Sequence, residues 1–298
     1  MKYSAGSRTF TFCKDIKDNQ KYRYSFNTLA QKTFGLSFEK WYLSGFWSDK
    51  YQPYTLLDGE QVVSNASISI INTLRDGVSK RYIQIGTVMT SPEYRNIGLS
   101  KFLINKIFED WLSCSDAVYL YANDSVLNFY PKFGFVKAYE YQATIQIEPK
   151  AGSVRKLNMS NDADIATLYH FYQKSNPFSE LPMIDNWGLL MFYCSSHISD
   201  FVFHIEDSDA VVIARKDKDT LTVFDIFCEN EAALSDILGV AAKANSDCGN
   251  IKLGFALKSA SEDKLSLLHE ENTTLFILDK KNNIFENRKT MFPLLSHT

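Results

Sequence analysis

Little in this sequence announces a function at first sight. Its five cysteines, Cys13, Cys114, Cys194, Cys228 and Cys248, are odd in number, widely spaced and form no C-x-x-C pair. That argues against a disulfide framework, and reduced thiols in a cytoplasmic protein are expected. The five histidines are scattered. His197 and His204 lie near one another without the spacing of a ligand pair, so no metal is expected. There is no run of about eighteen apolar residues, hence no expected membrane span. The opening MKYSAGSRTFTFCKD has no apolar stretch long enough for a signal peptide. No Lys/Arg block stands out, and the formal net charge is −3, which speaks against a nucleic-acid partner. Neither G-x-x-x-x-G-K-[ST] nor G-x-G-x-x-G occurs.

What is present is an ordinary globular composition, 45% apolar and 22% charged, over 298 residues. That length is long for one core, so two domains are expected. The 22 Phe and 16 Tyr suggest large buried faces and room for an aromatic cleft. The polar linker Glu148-Pro149-Lys150-Ala151-Gly152-Ser153 suggests a boundary, with domains at 1–148 and 153–298.

The first half reads as a strand at 8–13 and a helix from Tyr24 to Phe34, with Phe26, Leu29, Ala30 and Phe34 on one face. A second, aromatic helix over 38–46 is expected behind the Ser37 cap. Its Trp41, Tyr42, Phe46 and Trp47 suit either a core or the wall of a cleft. An antiparallel meander follows: Tyr54 to Leu57, Val62 to Thr73 and Arg81 to Thr90, joined at Asp58-Gly59 and Asp76-Gly77. Then comes a basic glycine turn, Arg95-Asn96-Ile97-Gly98-Leu99-Ser100. A helix over 98–112 carries an apolar face of Leu99, Phe102, Leu103, Ile107, Trp111 and Leu112. The strand Ala117 to Ala122 follows. A helical crossover returns a parallel strand. A sheet that changes direction at such a junction opens a crevice at the strand ends.

The turn has the chemistry of a phosphate site. The first amides of a helix lack partners, and its N-terminus carries partial positive charge. A glycine lets the backbone approach a ligand closely. Arg95 adds charge and Ser100 a small hydroxyl, so a pyrophosphate fits there. The alternative is a plain strand-to-helix connection with a solvated Arg95.

Arg95-x-x-Gly98-x-Ser100 resembles the acetyl-CoA loop of the GNAT superfamily of N-acetyltransferases, [QR]-x-x-G-x-[GA], with Ser100 where Gly or Ala is usual. Val88-Met89-Thr90-x-Pro92-x-Tyr94-Arg95 resembles the end of that family's fourth strand. Asn123 and Asn128-Phe129-Tyr130-Pro131-Lys132-Phe133-Gly134-Phe135 resemble its later N…FY-x-x-x-GF element. The resemblance covers about residues 20–147. It implies a mixed α/β sheet of the GNAT fold and an acetyl-CoA co-substrate. Its pyrophosphate would lie on Arg95, Asn96, Ile97, Gly98, Leu99, Ser100 and Lys101. Its pantetheine would pair with the backbone of Val88, Met89 and Thr90. The resemblance also implies that Tyr130 protonates the departing thiolate, as a phenol within hydrogen-bond reach can. A core tyrosine is the alternative. Asn123 suits either the pantetheine amides or a helix cap. Phe133 and Phe135 read as core, and the final strand as Phe135 to Ile147.

No general base is legible. The strand ending at Thr90 offers Gln84, Thr87 and Thr90 but no carboxylate, and Glu93 lies in the loop. Glu39, Asp49 or a water relay are the candidates, and the resemblance to multidomain members adds the terminal carboxylate of Thr298.

The second half runs helix (Asp162 to Gln173, with Ile165, Leu168, Tyr169 and Tyr172 inward), an apolar segment Trp187 to Cys194, hairpin (Ala210 to Arg215, Leu221 to Cys228), helix (Glu231 to Ala244) and strand (Ile251 to Leu257). This echoes the first half and suggests a smaller, degenerate GNAT-like α/β module. At its helix start Cys228-Glu229-Asn230-Glu231 replaces the basic turn, and carboxylates there would repel a pyrophosphate. The expectation is an acetyltransferase acting on a small-molecule or peptide amine, without nucleic acid or membrane. A non-catalytic CoA-binding sensor or scaffold is the alternative.

Overall fold

The structure, a computed structural model, describes residues 1–229, 234–278 and 283–297. It begins with β1 (Lys2–Ala5) and β2 (Arg8–Cys13), then α1 (Gln20–Phe34) and α2 (Glu39–Leu43). Asn19 caps α1 through its side chain, accepting from the amides of Lys21 and Tyr22, so the helix starts a turn before Tyr24. Phe26, Leu29 and Ala30 are buried, but Phe34 is 37% exposed where Gly35 ends the helix in the left-handed region. The aromatic helix α2 is short. Its start has no side-chain cap beyond a 3.4 Å contact from the Glu39 amide to Ser37 Oγ.

The meander consists of β3 (Tyr51–Asp58), β4 (Gln61–Arg75) and β5 (Val78–Thr90). Asp76 and Gly77 both take positive φ at the β4–β5 turn, the twist that a two-residue hairpin requires. Next come α3 (Leu99–Trp111) and β6 (Ala117–Ala122), which returns parallel to β5. Leu99, Leu103, Ile104 and Ile107 of α3 are buried against Ile83, Ile85, Val118 and Leu120.

The expected final strand Phe135 to Ile147 is instead two strands in different sheets. β7 (Phe135–Lys137) and β8 (Tyr141–Gln146) are separated by Ala138–Glu140, where the chain crosses from one sheet to the other. The crossing is held by Glu140, whose carboxylate accepts the Phe292 amide at 2.8 Å.

Then follow β9 (Val154–Lys156), α4 (Asp162–Tyr172), β10 (Met183–Ile184), α5 (Trp187–Phe192), β11 (Val202–Ile205), β12 (Ala210–Asp217) and β13 (Thr220–Phe227). In α4 the buried face is Leu168, Phe171 and Tyr172, whereas Tyr169, expected inside, is 43% exposed. After α6 (Leu234–Ala244) come β14 (Asn250–Leu253), β15 (Leu265–Leu267) and β16 (Thr274–Leu278). The strand β14 stops before Leu257. Gly254 packs so close to the Phe224 backbone that a Cβ would sit 2.8 Å from its Cα.

Among the described residues nine strands form one mixed sheet, ordered β1-β2-β3-β4-β5-β6-β16-β7 with β10 on β4. Seven form the other, ordered β15-β8-β14-β13-β12-β11-β9. Each sheet therefore takes a strand from across the linker. β16 inserts between β6 and β7, and β8 pairs with β14. The polar linker at 149–153 does not separate the two sheets. Both repeat one order: an antiparallel hairpin, a helix, a parallel strand, then an antiparallel strand from the other half of the chain.

Phe276, at the centre of β16, is fully buried in the α3-side core with Tyr130 and Phe135. Phe276→Ala should lower stability by about 3–5 kcal/mol in urea unfolding. Residues 1–148 expressed alone lack β16, the partner on the far edge of β6, and should show no cooperative unfolding transition. A sharp transition from that fragment would show that the exchanged strand is dispensable.

Candidate active site

The site begins where two strands part. β5 and β6 pair from Tyr82↔Ala117 to Ile85↔Leu120 and no further. β5 continues to Thr90 on β4 alone, while β6 runs on beside β16 to Ala122. The cause is local. A bulge between Asn65 and Ser67 breaks the β4–β5 register, and Thr87 takes φ 48°. Asn65 Nδ2 donates to the Thr87 carbonyl at 2.8 Å, and the Thr87 hydroxyl pairs with that of Tyr51 at 2.8 Å. One edge of β5 beyond Ile85 is thus left without a strand, and its backbone groups are open to a ligand. Val88 packs toward the α3 core and Met89 toward the α1 core, so these two residues offer backbone to the opening.

The basic turn sits at the end of the same strand. Asn96 has φ 64° and Gly98 φ 86°. A Cβ on Gly98 would be 3.6 Å from the Tyr3 hydroxyl, so the dihedral rather than lack of space calls for glycine. No side chain caps α3, which leaves its first amides facing outward. Ser100 Oγ pairs with Thr90 Oγ1 at 2.9 Å, and Thr90 Oγ1 with Ser64 Oγ at 2.8 Å. Arg95 Nε donates to the Thr90 carbonyl at 3.1 Å. Arg95 and Ser100 therefore fasten the turn to the strand end. Asn96, Ile97, Gly98 and Lys101 are exposed around it, and the Leu99 side chain is core.

Tyr130 opens a short 3₁₀ turn, Tyr130–Phe133, closed by Gly134 at φ 89°. Its ring packs on Phe129, Phe135 and Phe276 and the residue is 5% exposed. Burial pushes its pKa up to about 12, so the phenol keeps its proton at neutral pH. Asn123 precedes a 3₁₀ turn at Asp124–Val126, but its side chain makes no cap bond and is exposed.

On the sheet face opposite α3 lies a cavity of about 510 Å³. Thr87 and Tyr121, one from each parting strand, line it, so it opens on the same divergence. Phe38, Trp41, Tyr51, Phe192 and Tyr193 supply aromatic walls. Of the aromatic segment near α2, then, Phe38 and Trp41 face the cavity, while Trp47 packs with Phe26 and Phe38 in the core.

Neither internal candidate base lines this cavity. Glu39 is held by Arg23 and Asn27 at 3.0–3.2 Å, and Asp49 is 94% exposed and paired with Lys17. Thr298 lies outside the described residues. Its neighbour His297 lines the cavity and stacks on Tyr121, ring centroids 4.0 Å apart. The carboxylates that do line it are Glu270 and Glu271, which no pattern in the sequence marked. They stand just before β16, and only the strand exchange brings them here.

The model of the acetyltransferase (GNAT) family matches residues 19–135. This segment is a GNAT-family domain. The GNAT fold extends to the structural relatives. A protein from Enterococcus faecalis described as a probable N-acyltransferase shares 16% identity at TM-score 0.62, over 90% of this chain and 72% of that one. A GCN5-related N-acetyltransferase from Kribbella flavida shares 14% at TM-score 0.58, over 90% and 70%. Eis1 from Mycobacterium abscessus shares 12% at TM-score 0.56, over 91% and 74%. At such identities the likeness is one of fold. No curated protein matches the sequence. Among the described residues no group of His, Cys, Asp and Glu could hold a metal, and no helix is long and apolar enough to cross a membrane.

Beside the cavity, Glu140 accepts the Tyr121 hydroxyl at 3.2 Å, and burial raises its pKa to about 8. Asp225, buried in the second sheet, is raised to about 7 for the same reason. Each binds a proton in the folded state that the unfolded chain has already released above its ordinary carboxyl pKa. The unfolded state is therefore favoured progressively as pH rises toward these folded values. Thermal stability should fall between pH 5 and 8, and Glu140→Gln should flatten that fall. An unchanged slope in the variant would show that Glu140 is charged when folded.

Proposed function

We propose that the protein transfers an acetyl group from acetyl-CoA to the amine of an acceptor, without a metal. The observation that carries this reading is the coincidence at one strand end of an uncapped helix start, an unpaired strand edge and a cavity reaching the divergence from the other face. The amides of Gly98 to Lys101 and the charge of Arg95 suit the pyrophosphate, and the open edge at Val88 to Thr90 suits the pantetheine amides. Asn123 is a further contact for that arm. The amine nitrogen attacks the thioester carbonyl, a C–N bond forms and the C–S bond breaks. The sulfur takes a proton from the Tyr130 hydroxyl, and the proton shed by the amine leaves through water and restores the phenol.

Residues 153–298 make up a GNAT-like module without CoA chemistry in this reading. The repeated strand–helix–parallel strand order of β13, α6 and β14 supports it, as does the acidic Glu229 where the first domain has a basic turn. Asn230 and Glu231, expected to complete that acidic start, lie outside the described residues. The cysteines, none of them in a disulfide, suit a reducing cytoplasm.

A second reading, a CoA-binding sensor, draws on the missing carboxylate: β5 brings Gln84, Thr87 and Thr90 to the divergence and no acid. Calorimetry and thiol release separate the two. The enzyme should bind acetyl-CoA and release CoA with a cognate amine, and Tyr130→Phe should cut kcat by roughly 10²-fold or more while the acetyl-CoA Kd stays the same. A Tyr130→Phe protein with normal kcat would remove the tyrosine from this role. Gly98→Val should weaken acetyl-CoA binding, since a β-branched residue resists φ 86°. Binding without turnover on any amine would favour the sensor.

A further inference from the structure

The cavity on the face opposite α3 has a lining more selective than an amine alone would need. Its walls are the rings of Phe38, Trp41, Tyr51, Tyr121, Phe192 and Tyr193. The tyrosine hydroxyls are spent on the protein: Tyr51 on Thr87, Tyr121 on Glu140 and Tyr193 on the His297 carbonyl. What these residues present to an occupant is ring surface. No Lys or Arg is among the described residues that line the cavity, yet Glu270 and Glu271 both do.

Among the described residues Glu270 has no Lys or Arg partner. The basic group paired with it among those residues is His297 Nδ1, 3.8 Å away. Burial drives that imidazole down to about 3, so it is neutral at physiological pH and forms no ion pair. The other ring nitrogen, Nε2, is enclosed and has no partner. The His297 ring lies on Tyr121, the residue after the last β5–β6 pair, so Glu270 stands on the Tyr121 side of the cavity.

We propose that the acceptor is a primary amine carried on an apolar ring or chain. Its ammonium is drawn to the Glu270 carboxylate, gives one proton to water there to become the free amine that attacks the thioester, and its body lies among the rings. The assignment rests on the acetyl-transfer reading and names its substrate class. The cavity volume falls within the range of about 300–1,000 Å³ usual for small-ligand sites. Rings and carboxylate both attract a cation. A polyamine or amino sugar would leave several polar groups against ring faces with no partner, which is unfavourable. An amine that also carried a carboxylate would meet Glu270 and Glu271 with like charge.

Thiol release with acetyl-CoA and a panel of amines tests this, with calorimetry for acetyl-CoA run in parallel. 2-Phenylethylamine, tryptamine and octylamine should be preferred over ethanolamine, lysine and spermidine, with kcat/KM for 2-phenylethylamine about 10²-fold above that for ethanolamine. Glu270→Gln should raise the KM for 2-phenylethylamine about tenfold or more without moving the acetyl-CoA Kd. If acetyl-CoA is bound and turned over with the polar amines preferred, or if Glu270→Gln leaves KM unchanged, the acceptor assignment falls while acetyl transfer stands. If acetyl-CoA does not bind at all, both fall.

Discussion

Everything in the candidate site follows from the point at which β5 and β6 stop exchanging hydrogen bonds. Four residue pairs hold the strands together, ending at Ile85 and Leu120. Beyond them the bulge around Thr87, pinned by Asn65 and Tyr51, keeps β5 from following its neighbour. Backbone amides and carbonyls seldom go unpaired, so a divergence inside a sheet is costly unless water or a ligand meets them. Here both sides of the gap are furnished. The uncapped start of α3 lies at the end of β5, and an aromatic cavity reaches the gap from behind.

The two halves of the chain share the construction of that cavity. Phe38, Trp41 and Tyr51 come from early in the sequence, Phe192 and Tyr193 from the α5 region, and Glu270, Glu271 and His297 from the last part. The first domain alone contains the turn, Tyr130 and the open edge of β5. It does not contain β16, which lies between β6 and β7, nor the carboxylates that line the cavity. The second half of the chain has a structural role in the first sheet, because it donates β16 and accepts β8.

The parts legible in the sequence were those written in short-range patterns. The period of Leu99, Leu103 and Ile107 marks α3. Ala117 to Ala122 forms a strand with those same bounds, and Asp76-Gly77 makes its turn because those residue types tolerate positive φ. The glycine at 98, at φ 86°, marks the helix start, which the structure leaves without a side-chain cap. What stayed hidden depends on long-range pairing. The last strand expected from the sequence ends at Leu257 and nothing marks Thr274–Leu278, and alternation along one strand would not say which sheet receives it. Phe135 to Ile147 looks continuous because apolar residues persist through Ala138. Only the burial of Glu140 against Phe292 reveals the crossing. Tyr169 was assigned inward by spacing, yet the helix presents Phe171 instead. Glu270 belongs to no motif, and its setting is made by residues far away in sequence.

The exchanged strands also impose an order on synthesis. Tyr121 acquires its neighbour Leu275 only after about half of the chain has been added behind it. As the polypeptide leaves the ribosome, the edge of β6 waits uncovered through the whole translation of the linker and most of the second module. The amino-terminal sheet is thus closed last by a segment made nearly last. Long sequence separation of this kind slows folding and leaves an unsatisfied strand edge exposed to other nascent chains.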